Sequence, residues 1–132
     1  AGGGQGKQTR GEEGMNPPIT RVGMAARYSE AAVFNGVVFL AGMVPERGDV
    51  DIRGQTRDVL DQVEQRLKEC GSDKSRLLRA EIYLADIRDI AAMNEVWDAW
   101  VVPGAAPPRA TVQAALANPA YRIEIVVTAA QA

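Results

Sequence analysis

Two charged residues sit in settings that ordinary packing does not require. Arg109 follows Ala105-Ala106-Pro107-Pro108 and opens a predicted strand, so a stiff connection can aim its guanidinium in one direction. The planar fork suits bidentate capture of a carboxylate, and a solvated loop arginine accounts for the same residue without any function. Glu124 interrupts the apolar run from Ile123 to Val127, where a carboxylate is either paired with a base, exposed at an edge or interface, or used in chemistry. Three further residues are candidates of lower specificity. Tyr28 stands just before a predicted hairpin, Asn94 lies on a predicted helix, and Gly42 sits within a strand where a bulge or a close backbone approach would demand it. Trp97 and Trp100 resemble an aromatic platform, but their helical spacing beside Ile90 and Met93 reads first as core.

What is missing narrows the chemistry further. The chain has no histidine, which removes Ser-His-Asp and Cys-His arrangements, a histidine zinc site and an imidazole proton shuttle. Its three lysines, Lys7, Lys68 and Lys74, fall outside any predicted apolar pocket, so Schiff-base catalysis is not expected. No phosphate-binding loop, paired-cysteine motif or strand-linked dinucleotide fingerprint occurs, and neither a cofactor nor a metal is expected. Fifteen Lys and Arg against 17 Asp and Glu leave a net charge of −2, which gives no basic field for nucleic acid. No apolar run is long enough for a membrane span. A single cysteine, Cys70, and the lack of an apolar signal core lead to the expectation of a cytoplasmic protein.

The elements that must position these residues follow from periodicity. At 132 residues the chain fits one domain, over 15–132, preceded by a Gly-rich stretch, 1–14, expected to be a disordered tail or an expression remnant. Ala31 to Met43 reads as a hairpin turning at Asn35-Gly36, the pair a type I′ turn favours. Gln55 to Cys70 carries apolar residues at steps of three and four and ends at Gly71, a helix with a glycine stop. Leu77 to Leu84 alternates as a strand. A second helix starts at Asp86 or Asp89 and presents Ile90, Met93, Trp97 and Trp100 or Val101 on one face. Ala110 to Ala115 and Tyr121 to Thr128 close the order as two more strands joined through Asn118-Pro119. The pattern ββαβαββ implies an α+β fold, one mixed sheet with both helices on one face. The other face would be bare in a monomer, which points to self-association.

Taken together, Tyr28-Ser29-Glu30-Ala31, VVFLAGMVP at 37–45, GQTRDVLDQVEQRL at 54–67, IYLADIRDIAAMNEVW at 82–97, PPRATVQ at 107–113 and IEIVV at 123–127 resemble the Rid (YjgF/RidA-like) family of enamine/imine deaminases. The resemblance implies a chorismate-mutase-like homotrimer with active sites between subunits. It also implies hydrolysis of 2-imino and 2-enamino acids, of the 2-aminoacrylate or 2-iminobutanoate/2-iminopropanoate type, to 2-keto acids and ammonia without a cofactor. By position it makes Arg109 the clamp for the substrate carboxylate and Glu124 the group at the attacking water, with Tyr28, Gly42 and Asn94 lining the substrate. The sequence departs from the family pattern at Ala26-Arg27 in place of Gly-Pro, at Ala41 and Met43 in place of Ser and Gln, and at Thr111 where some members have cysteine. The added charge of Arg27 suggests a substrate with a second carboxylate.

Overall fold

The computed structural model describes residues 16–132; the stretch 1–14 lies outside them. Eight regular elements follow in order: β1 (Thr20–Val22), β2 (Ala31–Phe34), β3 (Val37–Leu40), α1 (Ile52–Glu69), β4 (Leu77–Leu84), α2 (Ile90–Trp100), β5 (Arg109–Gln113) and β6 (Ile123–Ala130). They form one six-stranded sheet in the order β1-β2-β3-β6-β4-β5. The expected ββαβαββ order is present, with the short exposed strand β1 added at the edge. The last two strands do not pair with each other. β5 lies parallel to β4 at the far edge, and β6 returns to the centre, antiparallel to both β3 and β4.

Local chemistry fixes most element ends. Asn35 and Gly36 have φ of 50° and 78°, the two positive values a type I′ turn needs. Gly71 has φ of 77°, and its N–H and that of Ser72 donate to the carbonyls of Lys68 and Leu67 at 3.2 and 2.9 Å, closing α1 in a Schellman arrangement. Helix α1 begins three residues before the expected Gln55, because the Asp51 carboxylate accepts from the Gly54 N–H at 2.9 Å and caps a turn that contains a glycine. At α2 the two aspartates divide their tasks. Asp86 accepts from the Arg88 N–H at 2.9 Å in the preceding 3₁₀ turn, whereas Asp89 makes no cap and instead holds Arg122 at 2.8 Å. Ile90, expected on the inner face, is exposed, and Val96 completes the buried stripe with Met93, Trp97 and Trp100.

Both helices cover one face of the sheet. There Val38, Leu40, Ala80, Ile82, Leu84, Ile123, Ile125, Val127 and Ala129 are at most 5% exposed. The opposite face carries Phe39 and Val112, 48% and 47% exposed, together with Tyr83, Glu124, Val126 and Thr128. Among the described residues no helix is long and apolar enough to cross a membrane.

One buried polar side chain ties the helical layer to the sheet. Gln55, fully buried, donates to the carbonyls of Val50 and Ala120 at 3.2 and 3.0 Å and accepts from the Arg122 N–H at 2.8 Å. It thereby fixes the loop that leads into β6. Replacing it by Leu strands three backbone groups, so Gln55→Leu is expected to lower stability by about 2 to 4 kcal/mol in urea unfolding. A loss below about 0.5 kcal/mol would contradict this role.

Candidate active site

Arg109 owes its position to the parallel pairing of β5 with β4. Its register partner is Ala80, and Thr111 pairs with Ile82, so both side chains point to the helix-covered face. The Arg109 guanidinium lies over the ring of Trp97, 5.2 Å from its centroid, and Trp97 is itself only 5% exposed. Trp97 is therefore core, as its spacing predicted, and also the platform for the arginine. A contact of this kind is worth roughly 1 kcal/mol, less than a charge-assisted hydrogen bond to a carboxylate at about 1.5 to 3 kcal/mol. Among the described residues no acidic side chain forms an ion pair with Arg109. The stacking orients the guanidinium, and its donors have no acidic partner among the described residues.

Asn94 stands one helical turn before Trp97. A helix joining two parallel strands runs back along them, so Asn94 lies toward the Thr111 end of β5 relative to Trp97. Asn94 Oδ1 and Thr111 Oγ1 are buried with no hydrogen-bond partner. Such atoms cost about 1 to 3 kcal/mol each when left unpaired.

Tyr28, Gly42 and Glu124 assemble elsewhere. Met43 forms an isolated antiparallel bridge with Ile125, exchanging N–H···O bonds of 2.8 and 3.0 Å, and so lays the Gly42 backbone alongside Glu124. A Cβ on residue 42 would overlap the Glu124 carboxylate and lie 2.9 Å from its Cδ. The close approach expected of this glycine is present, and its cause is the acid. Across the pairing with β4, Glu124 faces Tyr83, whose phenol is raised above its ordinary pKa by the charge and hydrogen bond of Glu81. Tyr28 is 58% exposed and borders, with Gly42, an open cleft of about 660 Å³. Among the described residues no group of three or more Cys, Asp or Glu is placed to hold a metal ion.

The five candidates thus form two sets. Arg109 and Asn94 occupy the helix side near one edge of the sheet, while Glu124 faces the bare side near its centre with the Gly42 backbone against it, and Tyr28 shares with Gly42 a cleft that Gln62 of α1 also lines. Register places Arg109 level with Val127, three residues from Glu124 along β6, a further offset of about 10 Å. Arg109 and Glu124 of one chain cannot grip the same small molecule. Sequence reasoning weighed Trp97 as an aromatic platform and preferred core, where it is both, and noted Thr111 only as a departure from the family pattern; the signals for their link to Arg109 were the helical phase of Asn94 and Trp97 and the two-residue step from Arg109 to Thr111.

Comparison with known proteins places this geometry in context. A family model described as Endoribonuclease L-PSP matches residues 18–131. The RutC family protein YoaB of Escherichia coli K12 is 48% identical over 112 residues, covering 85% of this chain and 97% of that protein. A crystal structure of a YjgF-family protein from Neisseria meningitidis superposes with a TM-score of 0.84 at 52% identity, covering 87% of this chain and 96% of the other. The chloroplastic Reactive Intermediate Deaminase A of Arabidopsis thaliana is 36% identical over 104 residues, 74% of this chain and 55% of that protein.

The contact between Gly42 and Glu124 can be tested directly. Since the obstructing atoms belong to the end of a flexible side chain, Gly42→Ala is expected to cost no more than about 1 kcal/mol while displacing the Glu124 carboxylate. That cost should vanish in a Glu124→Ala background; equal costs in both backgrounds would show that something else excludes a methyl group there.

Proposed function

The chain belongs to the YjgF/Rid family, and on that premise we propose that it hydrolyses reactive 2-imino and 2-enamino acids to 2-keto acids and ammonia. The observation that carries the reading is Arg109, oriented on Trp97 and unclaimed by any acid among the described residues. The Arg109 half of one copy and the Glu124 half of a neighbour complete the site, in a homotrimer packed through the bare sheet face. Exposed Phe39 and Val112 on that face support such packing.

In this arrangement Arg109 holds the substrate carboxylate and fixes the distance of the adjacent imine carbon from the opposing half. An enamine first takes a proton on carbon to become the iminium. Water positioned by Glu124 adds to the C=N carbon, its proton passing to the carboxylate, and a carbinolamine forms. Return of that proton from the carboxylate to nitrogen lets the C–N bond break, so ammonia leaves, and the carbinolamine hydroxyl gives its proton to the carboxylate as the C=O bond of the keto acid forms. The Asn94 amide oxygen and the Thr111 hydroxyl offer an acceptor and a donor beside Arg109 for groups of the bound substrate. Imines hydrolyse unaided, so positioning and modest proton transfer supply all the acceleration required. An RNA-cleaving role has little to draw on in a chain with no histidine and a net charge of −2.

Imines generated by an amino-acid oxidase in the presence of semicarbazide give a direct assay. The protein should suppress semicarbazone formation in favour of free keto acid. Arg109→Ala should abolish this effect and Glu124→Gln should reduce it by about a hundredfold. If the keto acid binds but wild type and Arg109→Ala leave semicarbazone formation equally unaffected, the protein is a carboxylate-binding module and not a deaminase. Light scattering should find three chains per particle; a monomer at micromolar concentration would overturn the shared site.

A further inference from the structure

The two helices do not close fully over one another. Between α1 and α2 an open groove of about 410 Å³ remains, on a floor of Leu60, Val96, Ala99 and the ring of Trp100. That volume falls in the range of small-molecule sites, about 300 to 1,000 Å³. None of Arg109, Asn94, Glu124, Tyr28 and Gly42 lines the groove, so it is separate from the candidate active site. Three cations and two acids border it, in a chain whose net charge is −2. One of each is paired off at one end, where the Arg53 guanidinium spans the helices to Glu95 in hydrogen bonds of 3.1 and 2.9 Å. Arg57, one turn further along α1, is exposed and forms no ion pair with an acid among the described residues, Asp61 included. Lys74 lies over the Trp100 ring, 5.5 Å from its centroid, on a 3₁₀ turn capped by the Asp73 carboxylate. The sequence placed this lysine outside any apolar pocket, yet it borders one. Its ammonium reaches only to 3.9 Å from a Glu64 oxygen that already accepts the Trp100 indole N–H at 3.1 Å. Asp61 is exposed and shared with a second depression that Asp58 and Glu69 also line.

We infer that the groove between α1 and α2 is a second binding site, which takes a small monocarboxylate with an apolar body, of the arylalkanoate class. The hydrocarbon part rests on Val96, Ala99 and Trp100 and displaces water from them. Arg57 and Lys74 hold the carboxylate through charge-assisted hydrogen bonds, the lysine already fixed in place over the ring. An ammonium ligand of the same shape meets these two cations as repulsion, and a neutral amide gains only the apolar contact. The site stands whether or not the chain is a deaminase.

The test is calorimetric titration with 3-phenylpropionate, carried out in an Arg109→Ala background so that binding at the candidate active site does not contribute. One equivalent per chain should bind, with Kd below about 1 mM. Adding Arg57→Gln or Lys74→Gln should weaken binding about tenfold, as should replacing the probe by 3-phenylpropanamide. Ala99→Phe, at an exposed helix position, fills the groove without touching its charges and should abolish binding. Circular dichroism confirms that each variant is folded. Binding seen with wild type and lost in Arg109→Ala would overturn the inference, since the carboxylate would then sit on Arg109, and binding to neither protein would overturn it as well. Affinity unchanged in both glutamine variants, or retained by Ala99→Phe, would also overturn it, because the ligand would then lie outside the groove.

Discussion

The side-chain alternation of β6, wedged between β3 and β4, governs what can meet what in this protein. Ile123, Ile125, Val127 and Ala129 are sealed beneath the helices, each at most 1% exposed. With four consecutive inward positions committed to the core, Glu124 has no choice of face. Shifting β6 by one residue would bury the carboxylate and expose two isoleucines, a penalty of several kcal/mol from apolar burial alone at about 1.5 to 3 kcal/mol per side chain. The apolar residues around Glu124 therefore hold the acid where it stands, and the glycine beside it gives the carboxylate room.

The same rule of alternation, applied to a parallel edge strand, sends Arg109 the other way. Here the orienting element is not the strand alone but α2, whose Trp97 presents a flat surface under the guanidinium. Trp97 is held in turn by Trp100, with ring centroids 5.5 Å apart, and Trp100 donates its indole N–H to Glu64 on α1 at 3.1 Å. The arginine is thus referenced through two aromatic rings to the other helix. Its direction depends on the packing of the whole helical layer, in contrast to Glu124, which depends on the sheet.

Much of this was legible because the local code was strong. Asn35-Gly36 and Gly71 each demand a backbone conformation few other residues accept, and both are found where sequence placed them. The central strands and helices declared themselves by periodicity. What escaped was set by partners distant in sequence. Asp89 would cap α2 if Arg122 were not 33 residues away to claim it, and Gln55 has the look of a surface helix residue until the loop at Ala120 closes over it. β1 is three residues long and pairs only with β2, so it carries no pattern of its own. The position of β6 between β3 and β4, and not beside β5, is equally a matter of long-range pairing. The candidate residues were readable by type, but their division between two faces of the sheet was not, because that follows from register.

The separation of Arg109 from Glu124 also has a genetic meaning. In an assembly that joins the two halves across a subunit boundary, a defect at one half spoils the boundary on one side of a chain and spares the boundary on the other. With the site shared as proposed, two alleles, one damaged at Arg109 and one at Glu124, would each be inert alone. Expressed together they would yield mixed particles in which an intact arginine from one product faces an intact glutamate from the other, so the two lesions on separate copies would be milder than two copies of either one.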